Sequence, residues 1–285
     1  MGLFFDPYSD YGFKKLFGEE VSKDILIDFL NTMLPERHQI ADLSFSDKEI
    51  VPGSVMDRGG SYDIYCTAQN EERFIVEMQK ARFPTFKERA LIYSVWSLQN
   101  QIRRGEEWGK KQRFSAIYFV GILNFVFKEE YDDDGKPIPN KLYTNVRLKD
   151  DDNSLFYGGL TMKFLQMPLF TKTEYELETH FDKWLYFLKN LPSFDHIPRI
   201  LNEPIFSHAF EVAKFGNMNP EDRQEYDKTV WNAIAYYGAM QEKEDEGKIK
   251  GKTELIRAMF STGLSIEQIA EMTKQDIEEI KRLLS

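Results

Sequence analysis

Two carboxylates on neighbouring extended segments carry the first chemical signal. In residues 61–67 (SYDIYCT), strand alternation places Tyr62, Ile64 and Cys66 on one face and Ser61, Asp63 and Tyr65 on the other. In residues 73–80 (RFIVEMQK), Phe74, Val76 and Met78 share one face, and Ile75, Glu77 and Gln79 the other. A hairpin turn centred on Asn70 sets Ile64 opposite Val76 and Cys66 opposite Phe74. The same register sets Asp63 opposite Glu77 and Ser61 opposite Gln79, with opposed Cβ atoms about 4.5–5.5 Å apart. Facing carboxylates destabilise a sheet unless something neutralises them, and a hard divalent cation with oxygen ligands does so. A one-residue slip would bury a carboxylate among Val, Ile and Phe, so the apolar pattern supports this register independently. Spacing alone leaves two readings open. One is a metal site; the other is a solvated sheet face, with Arg89 or Lys14 as simple ion-pair partners.

The elements that position these residues follow from periodicity. Residues 10–34 place Phe13, Leu16 and Phe17, then Ile25, Leu26, Phe29, Leu30 and Met33, at helical steps, with a break near Gly18. A strand is expected over 45–51, the strand pair over 61–67 and 73–80, and a helix over 87–104 with Leu91, Ile92, Val95, Leu98 and Ile102 on one side. Residues 114–127 suit a buried strand. A turn at 132–140 (DDDGKPIPN) is expected to join it to a partner strand at 142–148, with a further short strand within 160–170. The order is α-β-β-β-α-β. Helices are expected at 174–191, 204–215 and 220–238, their aromatics serving a core and not a cofactor. The charged stretch 242–254 (EKEDEGKIKGKTE) is a linker or an exposed helix. Three short helical patterns follow, the second capped by Ser265 with Gln268 and the third by Thr273 with Asp276, resembling a helix-turn-helix unit.

The chain has 285 residues, 42% of them hydrophobic and 29% charged, which excludes collagen-like and wholesale disordered classes. No apolar run reaches the roughly 20 residues of a membrane-spanning helix. No secretory signal is readable at the start, and Asp6 stands where a myristoylation pattern needs Ser or Thr. The single cysteine, Cys66, has no internal disulfide partner, and a cytoplasmic setting is expected. A net charge of −10 argues against a general nucleic-acid coat. Residues 79–113, however, hold nine basic side chains against three acidic ones, a local +6 that leaves −16 elsewhere.

Motif and order together resemble the PD-(D/E)XK nuclease superfamily, and within it the recombination-promoting nuclease and transposase-like branch. The blocks are DPYSDYGFKKLFGEE at 6–20, YDIYC at 62–66, IVEMQK at 75–80 and ERALIYS at 88–94, and the tail from Gly251 is similar to that branch's C-terminal extension. The resemblance implies an α/β fold with a restriction-endonuclease-like core and mixed sheet, followed by a mostly helical C-terminal half. The expected division is a nuclease-like core at 1–170, a helical extension at 171–241, and a linker with a helix-turn-helix-like tail at 242–285. It further implies that Asp63 and Glu77 bind Mg²⁺, replaceable by Mn²⁺, with the Met78 carbonyl assisting and Asp10 as a further acidic ligand. Gln79 occupies the usual lysine position. Arg89 and Tyr93, four apart on one helix face, and Lys14 or Lys15 would meet a DNA phosphate, against the plainer reading of surface charge and packing.

Two departures stand out. Tyr62 replaces the proline before Asp63, a loop feature outside the chemistry. Gln79 replaces a lysine, and a neutral amide cannot supply a cation; alternation points Lys80 to the opposite face. The expected function is a metal-dependent DNA endonuclease, recombination-promoting or transposase-like. The rivals are a catalytically decayed nuclease fold that binds DNA, and a module that self-associates through its C-terminal helices.

Overall fold

The computed structural model describes residues 2–47, 49–50, 60–82, 85–102, 114–128, 130–131 and 134–284. Helix α1 (Asp10–Phe17) starts at Ser9, whose hydroxyl accepts the Gly12 N–H, and stops at Gly18, whose N–H returns to the Lys14 carbonyl. Helix α2 (Lys23–Asn31) buries Ile25, Leu26, Phe29 and Leu30, the stripe expected from periodicity. Between and after the helices lie six strands: β1 (Leu43–Phe45), β2 (Ile64–Ala68), β3 (Arg73–Gln79), β4 (Ile117–Leu123), β5 (Tyr143–Lys149) and β6 (Leu155–Gln166). Helix α3 (Phe86–Gln99) connects β3 to β4.

The six form one mixed sheet in the order β1-β2-β3-β4-β6-β5. Strands β3, β4 and β6 run parallel, and the outer pairs are antiparallel. All seven residues of β4 are buried, as an apolar run between two parallel neighbours requires. This is the anticipated α-β-β-β-α-β order inside a restriction-endonuclease-like α/β fold with a helical C-terminal half. Two short ribbons, Glu49–Ile50 with Gly60–Ser61 and Glu130–Tyr131 with Pro137–Ile138, stand outside the sheet.

Several expectations need correction. Residues 143–149 pair with β6 and not with the 118–127 strand, because β6 is longer than expected and inserts between them. The strand expected over 45–51 is two short segments, and Val51 lies outside the described residues. The helix expected over 87–104 ends at Gln99, which leaves Ile102 beyond it, and on α3 the predicted apolar side is largely the outer one: Leu91, Ile92 and Val95 are exposed, while Ala90, Tyr93, Ser94 and Ser97 face the sheet.

The chain divides into two compact units, Met1–Thr229 and Val230–Ser285. In the first, helices α4 (His180–Asn190) and α5 (Pro204–Ala213) join α1 and α2 in an aromatic core, with Trp184 against Phe206 at 4.7 Å and Phe17 against Phe29 at 5.3 Å between ring centres. Asp28 ties α2 to α4 by accepting the Trp184 indole N–H at 2.6 Å while bonding His180 at 2.6 Å. Helix α6 (Pro220–Ser261) runs unbroken through the charged stretch, so the exposed-helix reading of 242–254 holds and the helix expected to end at 238 does not. In the second unit, α7 (Ile266–Thr273) and α8 (Ile277–Leu284) enclose Ile256, Ile269 and Ile280. Ser265 and Gln268 form the predicted capping box. The last helix starts instead at Asp276, whose carboxylate accepts the Glu278 N–H.

Candidate active site

The hairpin that presents the carboxylates has the predicted register over its ladder, with Ile64 paired to Val76 and Cys66 to Phe74, but Ser61 pairs with Glu49 in a separate ribbon and not with Gln79. Its turn is closed locally: the Asn70 side chain accepts the Glu72 N–H at 3.1 Å, and Glu71 takes a left-handed φ of 67°. Asp63 sits one residue before the ladder begins. In place of regular strand pairing, its N–H donates to Glu77 Oε1 at 3.0 Å, and its Oδ2 accepts the Met78 N–H at 3.0 Å. Each acid therefore fixes the backbone that carries or adjoins the other. This departure from strand geometry also corrects the placement of Tyr62, which turns to the Asp63 side and packs on Tyr65 and Tyr93 at 4.8 and 5.1 Å.

A solvated sheet face is excluded, because α3 covers it and leaves Glu77 only 2% exposed. Glu77 pairs with Gly121 of β4, and a Cβ at Gly121 would lie 3.0 Å from the Phe164 ring and 3.2 Å from Phe86. The missing side chain lets Phe86, 1% exposed, seat α3 against the sheet. The Arg89 guanidinium lies over the Phe86 and Tyr93 rings at 5.1 and 5.7 Å and reaches Glu77 Oε2 at 3.4 Å. Tyr93 spends its hydroxyl on the Ser61 carbonyl at 3.1 Å, and Tyr62 donates to the Tyr93 carbonyl at 3.3 Å. Tyr93 thus clamps the segment leading into Asp63.

Burial pushes the Glu77 carboxyl up to about 8, with the Asp63 charge adding to it. Burial likewise raises Asp63, helped by the nearby Asp10 charge. Arg89 and Lys14 pull both back towards the ionised form. The DPYSDYG block explains how α1 reaches this point. Asp6 Oδ1 accepts the Tyr8 N–H at 2.9 Å, Ser9 donates to the Asp6 carbonyl at 2.6 Å, and a Cβ at Gly12 would sit 2.3 Å from that carbonyl. The resulting tight turn starts the helix that brings Asp10 and Lys14 into electrostatic range of the pair.

Asp10 itself pairs with Lys14 at 2.8 Å, and among the described residues no group of three His, Cys, Asp or Glu is gathered as a metal cluster. Lys15 is engaged by Glu19 and Asp222. Gln79 donates through Nε2 to the Met78 carbonyl at 3.0 Å. Lys80 points away, as alternation requires, and meets Asp6 at 2.7 Å, a partner 74 positions away that local pattern could not reveal. Arg82 donates to the Val126 carbonyl and Lys87 pairs with Glu130, so this half of the basic segment is spent within the molecule. Arg103, Arg104, Lys110, Lys111 and Arg113 lie outside the described residues.

The donor set fits a hard divalent cation: two adjacent carboxylates, raised by burial and by neighbouring acidic charge, with the Arg89 guanidinium at long hydrogen-bond range. No helix among the described residues is long and apolar enough to cross a membrane. No curated protein and no solved structure matches the chain. The family model described as a PD-(D/E)XK nuclease family transposase matches residues 7–234, which include the hairpin, α1, α3 and the whole six-stranded sheet. By that match the chain belongs to the PD-(D/E)XK nuclease family transposases.

Proposed function

We propose that the protein is a metal-dependent DNA endonuclease of recombination-promoting or transposase-like type. The family supports a nuclease acting on DNA and the general use of divalent metals. The observation that carries the finer reading is that Glu77 accepts the Asp63 N–H while Asp63 accepts the Met78 N–H, which anchors two neighbouring acids, one of them almost fully buried, at a cost to folding. Asp63, Glu77 and the Met78 carbonyl would hold Mg²⁺ or Mn²⁺, with Asp10 a further acidic group at the rim. When bound, the cation supplies an activated water and polarises the scissile phosphate. Arg89, stacked on two rings, holds Glu77 in place and offers positive charge to the phosphate. Lys14 is the second cation of the site, and Tyr93 fixes the approach of the Ser61–Asp63 segment. Gln79 steadies the Met78 carbonyl through Nε2 and offers Oε1 as an acceptor for the attacking water.

The test is nicking of supercoiled plasmid with Mg²⁺ by the wild type, Asp63→Ala and Glu77→Ala, with EDTA as control. Cleavage lost in both variants establishes the enzyme. DNA binding with no cleavage by the wild type would sink the reading in favour of a decayed nuclease fold, for which the absence of a lysine at position 79 is the motivating observation.

A further inference from the structure

The face of the sheet turned away from α3 carries a charge arrangement opposite in sign to the acidic pair. Lys163 lies in β6 between Val120 of β4 and Asn145 of β5 and is 3% exposed. Its ammonium donates to the Tyr143 hydroxyl at 2.6 Å. The charge it senses is a like one, from Arg147, and with burial this pushes the amine down to about 8. Arg147 also bears on Tyr118 and Tyr143, which places it over this same face. Beside it, Asn145, Val146, Arg147 and Lys149 line a cavity of about 520 Å³ along the edge strand. Among the described residues no carboxylate pairs with Lys163, Arg147 or Lys149. Glu72, which acts on Tyr118 of this face, is bonded to His38 at 2.7 Å.

Holding a buried cation beside another cation without an acid is unfavourable, and an incoming anion removes that penalty. The open edge suits a polymer passing across it better than a small enclosed ligand, since Asn145, Arg147 and Lys149 are all exposed. Phosphate oxygens match both the planar guanidinium and the ammonium groups. We propose that this edge, Arg147 and Lys149 along β5 with Lys163 beneath Arg147, is a phosphate-binding site separate from the carboxylate pair, occupied by backbone phosphates of DNA. The choice of polymer rests on the nuclease reading; the choice of anion rests on the edge alone.

The experiment measures binding of a short fluorescent duplex in EDTA against salt, for the wild type, Arg147→Ala/Lys149→Ala and Arg147→Lys/Lys149→Arg. Loss of two phosphate contacts is expected to weaken binding about tenfold and to remove about two units from the slope of log K against log salt. The charge-preserving variant is expected to restore both, which separates lost charge from disturbed folding. Calorimetric titration with inorganic pyrophosphate distinguishes the source of the phosphate. Unchanged duplex binding with pyrophosphate binding abolished in the alanine variant overturns DNA as occupant and assigns the edge to a free phosphate. Unchanged duplex binding with no pyrophosphate binding by the wild type overturns the site. Plasmid nicking is read in parallel: an inactive wild type that still shows Arg147-dependent duplex binding overturns the enzyme and upholds the edge.

Discussion

The two faces of the central sheet treat buried charge in opposite ways. On the α3 side, Asp63 and Glu77 are pressed together and raised, with Arg89 and Lys14 close enough to moderate them. On the other side, Lys163 is lowered by burial and by Arg147, with no acid to moderate it. Ion pairs elsewhere in the first unit join opposite charges: Lys80 with Asp6, His180 with Asp28, Lys172 with Asp182. Matched pairs hold elements together, whereas the two clusters with an excess of one sign are the places where a ligand of opposite sign gains most.

The comparison breaks most decisively at the acidic pair. We predict that Asp63→Ala or Glu77→Ala lowers metal-dependent cleavage about a thousandfold, the loss of roughly 4 kcal/mol of transition-state stabilisation. Glu77→Gln should be equally inactive yet more stable without metal near pH 7, by on the order of 1 kcal/mol, since folding there must protonate a carboxyl raised to about 8, a cost the neutral amide does not carry. A cleaving Glu77→Gln enzyme, or one with a lower melting temperature, would contradict this. Phe86→Ala is next, at about 3–5 kcal/mol of stability in denaturant titration, because the ring fills the space over Gly121 and supports Arg89.

On the opposite face, Lys163→Met sharpens the contrast through pH. Lys163 has a folded value near 8, below its unfolded one, so the unfolded chain binds more protons between about pH 8 and 10.5 and stability rises with pH there. Below pH 8 the ammonium persists beside Arg147 and the cost is fully present. Lys163→Met should therefore raise stability by about 1–2 kcal/mol at pH 7 and flatten its rise towards pH 10. Pyrophosphate should flatten the wild-type curve in the same way. An unaltered pH slope in Lys163→Met would show that the buried amine carries no such cost. Smallest is Asp6→Asn, which breaks a partly exposed pair and should cost about 0.5–1 kcal/mol in thermal melts. Freeing Lys80 in this way should not raise cleavage, since Lys80 lies on the wrong side of β3.

The acidic hairpin was legible because two independent patterns, the Asn70 turn and the alternation of apolar residues, demand one register. The inner face of α3 was not. Its apolar residues at 91, 92 and 95 form the stripe that periodicity detects, yet the sheet below is lined with tyrosines and takes small residues. Ser97 meets the Tyr65 hydroxyl at 3.0 Å, and Ser94 donates back to the Ala90 carbonyl. Ala90, Ser94 and Ser97 at helical spacing were the available signal. The local +6 was legible as composition, but the partners that absorb its first half, Asp6, Val126 and Glu130, are distant in sequence. Lys163 stands in a strand that also buries Thr161 and Gln166, so its burial leaves no period in the sequence that would set it apart.

The reciprocal bonds between Asp63 and Glu77 also bear on how such a site is lost over generations. Losing the Glu77 side chain removes the acceptor for the Asp63 N–H, and losing the Asp63 side chain removes the acceptor for the Met78 N–H. A first neutral drift at either acid loosens its neighbour, so decay should proceed through the pair together and leave few intermediates bearing one acid alone. Gln79 takes part in neither of those two bonds, so a change at position 79 leaves the anchoring of both acids intact.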